Sequence, residues 1–159
     1  MLQKNCVAKA TMTSALDSCP SAVGLAGLLN HEIEFPLGLL GFPDCRRFML
    51  KRFASGDANE SPFFILDSLD QELSFPVIHP DFVSPDYTVP IFPQLLDSLG
   101  AKAGAELVPL LIVTVRERVE DTTVNLQGPL LISAQSHTGV QLVVEEFPLR
   151  HPLVNGPSR

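Results

Sequence analysis

From about residue 23 onward the chain alternates short apolar runs with Pro, Gly and Asp. Runs of roughly 4–8 apolar residues between turn formers are the signature of strands. The pattern predicts strands over Leu25–Leu29, His31–Phe35, Arg47–Phe53, Pro62–Asp67 and Leu73–His79. It predicts four more over Glu106–Val115, Thr122–Leu126, Pro129–Ser133 and Gly139–Glu145. Pro109 falls inside one of them. Proline cannot donate to a ladder, so that strand is an edge, begins late or carries a bulge. One short helix is predicted: Pro90 and Pro93 open it, and Phe92, Leu95, Leu96 and Leu99 recur at helical spacing before Gly100 stops it. At about two turns it depends on packing.

Residues 1–22 follow neither period and read as a poorly ordered arm. A single β domain over 23–154 and a loose tail over 155–159 follow. Gly56 to Ser61 is a polar turn. Phe-Pro occurs at Phe35, Phe42, Phe75, Phe92 and Phe147, without a fixed interval. Each is expected to end a strand and place its Phe in the core, since the residue before Pro is pushed toward extended backbone.

Composition narrows the function. A chain of 159 residues and 17.3 kDa fits one domain. The 11 Lys and Arg against 18 Asp and Glu leave a net charge of −7, which argues against direct nucleic-acid binding. The 14 prolines argue against a helical bundle. Cys6, Cys19 and Cys45 form no paired motif, so neither a disulfide framework nor a zinc site is expected, and a reducing, cytoplasmic setting is the default. The longest apolar runs are too short to span a bilayer, and Asp17 and Pro20 interrupt any leader-like segment.

Catalytic motifs are missing: no GxSxG, P-loop or GxGxxG occurs. His31, His79, His137 and His151 are scattered, and none has a second ligand at the local spacing of metal sites. His79 beside Asp81 is expected to be a strand-end His near water rather than a catalytic pair. Glu120-Asp121 and Glu145-Glu146, placed in strands, would diverge to opposite faces. Likewise Arg46 and Arg52 would share one face, and Arg47 and Lys51 the other. No enzyme, metal or cofactor is indicated, and binding is the default class.

Several strings, in order, resemble the flagellar assembly factor FliW family. Phe35-Pro36-Leu37-Gly38-Leu39-Leu40-Gly41-Phe42 is similar to its FPxGLxGF signature. Pro62-Phe63-Phe64-Ile65-Leu66, His79-Pro80-Asp81-Phe82 and Pro85-Asp86-Tyr87 resemble its next blocks. Thr123-Val124-Asn125-Leu126-Gln127-Gly128-Pro129-Leu130 resembles its strand–turn–strand. Gly139-Val140-Gln141-Leu142-Val143 and Arg150-His151-Pro152-Leu153 resemble its last two. The match covers residues 35–153. Val23-Gly24 stands where the family has an aromatic-Gly pair, and Pro43 where an acidic residue is common.

The resemblance implies a compact, mostly antiparallel β pseudo-barrel without enzymatic activity. It implies two protein partners: a CsrA-type translational regulator, whose repression of flagellin synthesis is relieved, and flagellin itself. The alternatives are a flagellin-binding chaperone only, or a small β-barrel for another ligand. Asp81, Asp86, Glu145 and Glu146 are candidates for a contact with a basic partner, or ordinary surface charge. Phe82, Pro85 and Tyr87 are either apolar contacts for flagellin or plugs at the barrel end. Arg150 and His151 either form a terminal clasp, with Arg pairing a carboxylate, or touch a partner. Phe35, Pro36, Gly38, Gly41, Phe42, Asn125 and Pro129 have structural explanations: positive φ or close packing at the glycines, and a side-chain-bridged turn at Asn125.

Overall fold

A computed structural model describes residues 20–53, 62–84, 86–101 and 106–153, with side-chain burial from Gly24 onward. The predicted arm up to residue 19, the polar turn over 56–61, Pro85 and the tail from 155 lie outside the described residues.

Among the described residues nine strands make one sheet: β1 (Glu32–Glu34), β2 (Arg47–Arg52), β3 (Phe63–Ser68), β4 (Ser74–Ile78), β5 (Leu107–Thr114), β6 (Thr123–Val124), β7 (Leu130–Ser133), β8 (Gly139–Gln141) and β9 (His151–Pro152). Among the described residues two α-helices accompany them, α1 (Pro20–Leu28) and α2 (Pro93–Ser98). All ladders are antiparallel, in the order β1-β2-β3-β4-β5-β6-β9, with β7 and β8 branching from β5. The branch returns toward β1, where a single parallel bridge joins Glu34 to Thr138. The sheet curls into a pseudo-barrel whose seam is that bridge rather than a ladder.

The segment read as a strand over Leu25–Leu29 is the end of α1 and the residue after it. Gly24 and Gly27 lower helix propensity and the run is short, so local pattern favoured a strand. Tertiary burial decides otherwise: Leu25 and Leu28, one helical turn apart, both enter the core. Asn30, at φ 64°, ends the helix, and the His31 N–H reaches the Leu28 carbonyl at 3.2 Å. β8 stops at Gln141, four residues before the predicted end, and β9 was not anticipated because a two-residue strand containing Pro has no period to read.

Pro109 sits mid-strand in β5 opposite Leu131. The Glu106 carbonyl accepts from the Ala134 N–H, so the even residues of β5 hydrogen-bond toward β7. The Pro109 nitrogen therefore faces the β4 side, where the ladder ends at Ile78–Leu111. The sheet is open at that point, and no ladder bond is lost.

Alternation along β5 produces two cores. Val108 and Leu110 join Phe35, Phe48, Leu50, Leu66, Val77 and Ile132 inside the barrel. Leu111 and Val113 point to the outer face and join Ile78, Tyr87, Val124 and Leu126 in a second cluster. Leu131 of β7 likewise faces outward, packed with Leu95 of α2 and Leu99 at its C-terminal cap. The outer face of β4–β6 is therefore apolar and roofed by chain, and the roof carries the candidate site.

The Phe-Pro expectation holds unevenly. Phe35 is fully buried, edge-on to Phe48 at 5.5 Å between centroids. Phe75 and Phe147 are half-buried. Phe42 and Phe92 are exposed, because one lies in a surface loop and the other at the cap before α2.

Candidate functional site

The roof consists of residues 79–84, 86–89 and 143–153, held along β5 and β6. Main-chain bonds fix the second segment. The Val144 N–H donates to the Gln127 carbonyl at 2.7 Å, and the Leu126 N–H donates to the Pro148 carbonyl at 3.1 Å. β9 pairs with β6, and the Leu153 N–H reaches the Thr122 carbonyl at 3.1 Å.

Tyr87 joins the two segments. Its ring lies 4.6 Å from that of Phe147, and its hydroxyl donates to the Leu126 carbonyl at 2.6 Å. Burial pushes its phenol pKa well above the ordinary value. Tyr87 is therefore a plug, with its polar end turned inward. Phe82, by contrast, is 63% exposed on the 3-10 turn Pro80–Phe82.

Asp86 adjoins Tyr87 in sequence and Glu146 adjoins Phe147, the two rings that meet across the roof, and all of Asp86, Glu145 and Glu146 are exposed. None of the three has an ion pair among the described residues. Glu145 and Glu146 lie in a turn beyond β8, so the strand alternation expected to separate them does not operate. Glu120 and Asp121 do not diverge either: a 3-10 turn (Val119–Asp121) directs both at Arg118, at 3.4 and 3.8 Å. Arg150 is exposed and pairs with no carboxylate among the described residues; His151 is half-buried in β9.

His79 departs from expectation. It is buried rather than near water, and its Nδ1 accepts the Asp81 N–H at 3.1 Å to cap the 3-10 turn. The Asp81 carboxylate lies 3.7 Å from the same nitrogen. Burial holds the His79 pKa below its ordinary value, only partly opposed by Asp81. Its Nε2 is buried without a partner.

The Phe35–Phe42 signature serves a separate, structural arrangement. Gly38, at φ 71°, turns the loop so tightly that an added Cβ would meet the Phe42 and Pro43 carbonyl oxygens at 2.7 and 2.6 Å. The Leu39 and Phe42 main chains bond each other in both directions. The Leu40 N–H donates to Gln141 Oε1 at 2.7 Å, and Gln141 Nε2 donates to the Gly128 carbonyl at 2.9 Å. Asn125 Oδ1 accepts from the Gln127 and Gly128 N–H groups, both at 2.9 Å, just before Pro129. Gly139 leaves room for the Phe35 ring, which an added Cβ would meet at 2.7 Å. Strings distant in sequence are thus one connected support. Gln141 is its hub, and the G-x-Q spacing was the available signal. Leu37 and Leu40 project from the loop, 77% and 58% exposed.

This arrangement offers apolar and acidic surface. Among the described residues no three His, Cys, Asp or Glu side chains converge, and no helix is long and apolar enough to cross a membrane.

The family model described as FliW protein matches residues 26–153. A flagellar assembly factor FliW of Natranaerobius thermophilus is 37% identical over 127 residues, covering 77% of this chain and 82% of that protein. One from Caldanaerobacter subterraneus subsp. tengcongensis is 32% identical over 136 residues, covering 80% and 88%. A solved crystal structure of the flagellar assembly factor FliW superposes with a TM-score of 0.69 at 26% identity, covering 79% of this chain and 87% of that one. The chain belongs to the FliW family.

Proposed function

We propose that this chain is a flagellar assembly factor that works in the cytoplasm, without catalysis, by exchanging two protein partners. One is a CsrA-type translational regulator, held away from flagellin messenger RNA while bound here. The other is unexported flagellin, which takes the factor away and lets repression return. The chain itself contacts neither nucleic acid nor membrane.

The observation that carries this reading is the surface around Tyr87 and Phe147. Asp86, Glu145 and Glu146 are exposed and unpaired there, and a phosphate-binding regulator presents Lys and Arg. Asp81 and Arg150 border the same roof, with His151 anchored behind it. Phe82 supplies exposed apolar surface for an amphipathic partner. Pro85 belongs to the same candidate surface by sequence position, although it lies outside the described residues.

The test is titration calorimetry against the regulator and the flagellin monomer of the same organism. Saturable binding to both, with flagellin displacing the regulator, is expected. Binding to flagellin alone would reduce the role to a chaperone, and binding to neither would overturn the proposal.

A further inference from the structure

Far apart in sequence, His31 and His137 meet with ring centroids 5.2 Å apart and planes tilted by 51°. Two imidazoles on one tetrahedral ion have this spacing. A metal–nitrogen bond of about 2.1 Å, plus about 1.1 Å from nitrogen to ring centre, puts the two centres about 5 Å apart at a tetrahedral angle.

The backbone around the pair is specialised. Asn30, at φ 64°, ends α1 and presents His31. His137, at φ 56°, closes the turn from β7 to β8, with its N–H on the Ser133 carbonyl at 2.9 Å. These are the only non-glycine residues with positive φ among the described residues. Gly would adopt that conformation at 137 more easily than His, yet an imidazole stands there facing another imidazole. His31 is exposed and His137 half-buried, so ions and water can reach them.

We propose that His31 and His137 form a two-imidazole site for a divalent transition cation, with Zn2+ as the reference ion. Neutral imidazoles suit Zn2+, Ni2+ and Cu2+ rather than Mg2+ or Ca2+. No third His, Cys, Asp or Glu among the described residues completes the set, so water fills the remaining coordination positions. The site ties the barrel seam. The Glu34 N–H already donates to the His137 carbonyl at 2.9 Å, next to the Glu34–Thr138 bridge, and a shared ion adds a second clamp between the end of α1 and the β7–β8 turn. The site is independent of the partner surface.

The experiment is calorimetric titration of the full chain with Zn2+ at neutral pH, with thermal unfolding at increasing Zn2+. One saturable site and a Tm that climbs with free Zn2+ are expected. His31→Ala should abolish both effects. So should His137→Asn, which keeps a residue tolerant of positive φ. A Cys6→Ser/Cys19→Ser variant should bind as the original does. No heat at millimolar Zn2+, undiminished binding in the His variants, or loss of binding in the Ser variant would each overturn the proposal.

Discussion

The outer face of β2 and β3 and the roof around Tyr87 are both rich in carboxylates, but they use them differently. On β2–β3, Asp70 accepts the Arg46 and Arg47 N–H groups at 2.9 Å and also receives the Arg47 guanidinium. Asp67 takes Lys51 at 3.0 Å and the Ser74 hydroxyl at 2.7 Å. Arg52, on the opposite face of β2, lies over the Phe64 ring at 5.5 Å. The basic cluster is consumed internally. On the roof, Asp86, Glu145 and Glu146 have no such partners among the described residues. The β2–β3 carboxylates are spent on neighbouring cations, whereas those of the roof face solvent without one, where they can steer a cationic protein.

Tyr87 gives the largest way to break this contrast, since it holds the roof down. Tyr87→Ala removes a buried ring and is expected to destabilise the fold by about 3–5 kcal/mol in urea unfolding. Tyr87→Phe keeps the ring against Phe147 but leaves the Leu126 carbonyl without its donor, so about 1–2 kcal/mol is expected. If Tyr87 were mainly a partner contact, Tyr87→Phe would instead weaken binding and leave stability alone.

Charge reversal tests the other half. Glu145→Lys with Glu146→Lys should leave stability within about 0.5 kcal/mol, because neither side chain has a partner to lose. Stopped-flow association with the basic regulator should slow about tenfold at low salt, with the difference shrinking as salt screens it. The same reversal at Asp70 should do the opposite: it should harm the fold and leave association unchanged.

How much of this could be read from the chain depended on the range of the interaction. The strands from Arg47 to Ser133 and helix α2 carry their own period and turn residues, and they were readable. Helix α1 was not, because Gly24 and Gly27 hide it and only burial of Leu25 and Leu28 selects it. The signature motifs could be seen as strings, but not the Gln141 bridge that connects them, which spans the Leu40 loop and Gly128. The inward turn of the Tyr87 hydroxyl and the His31–His137 contact are pure tertiary outcomes. Neighbouring residues carried no signal for either.

The smallest effects are in acid, and they separate the two regions by pH. Burial lowers the folded-state pKa of His79, so the unfolded chain takes up a proton first. Stability should therefore begin to fall as the pH drops through about 6.5 and continue falling to the folded value. Asp70 is held below the carboxylate range by the Arg46 and Arg47 N–H groups and then the Arg47 side chain; Asp67 is held there by Ser74 and then Lys51. Their contribution is complete above about pH 4 and is lost as the pH falls from there through their folded values. Thermal unfolding from pH 8 to 2 should show two descents. Asp70→Asn should flatten only the lower one, and His79→Gln only the upper. A single descent in the original chain, or a Asp70→Asn profile altered near pH 6, would mean that the roof and the β2–β3 face titrate as one coupled unit rather than two.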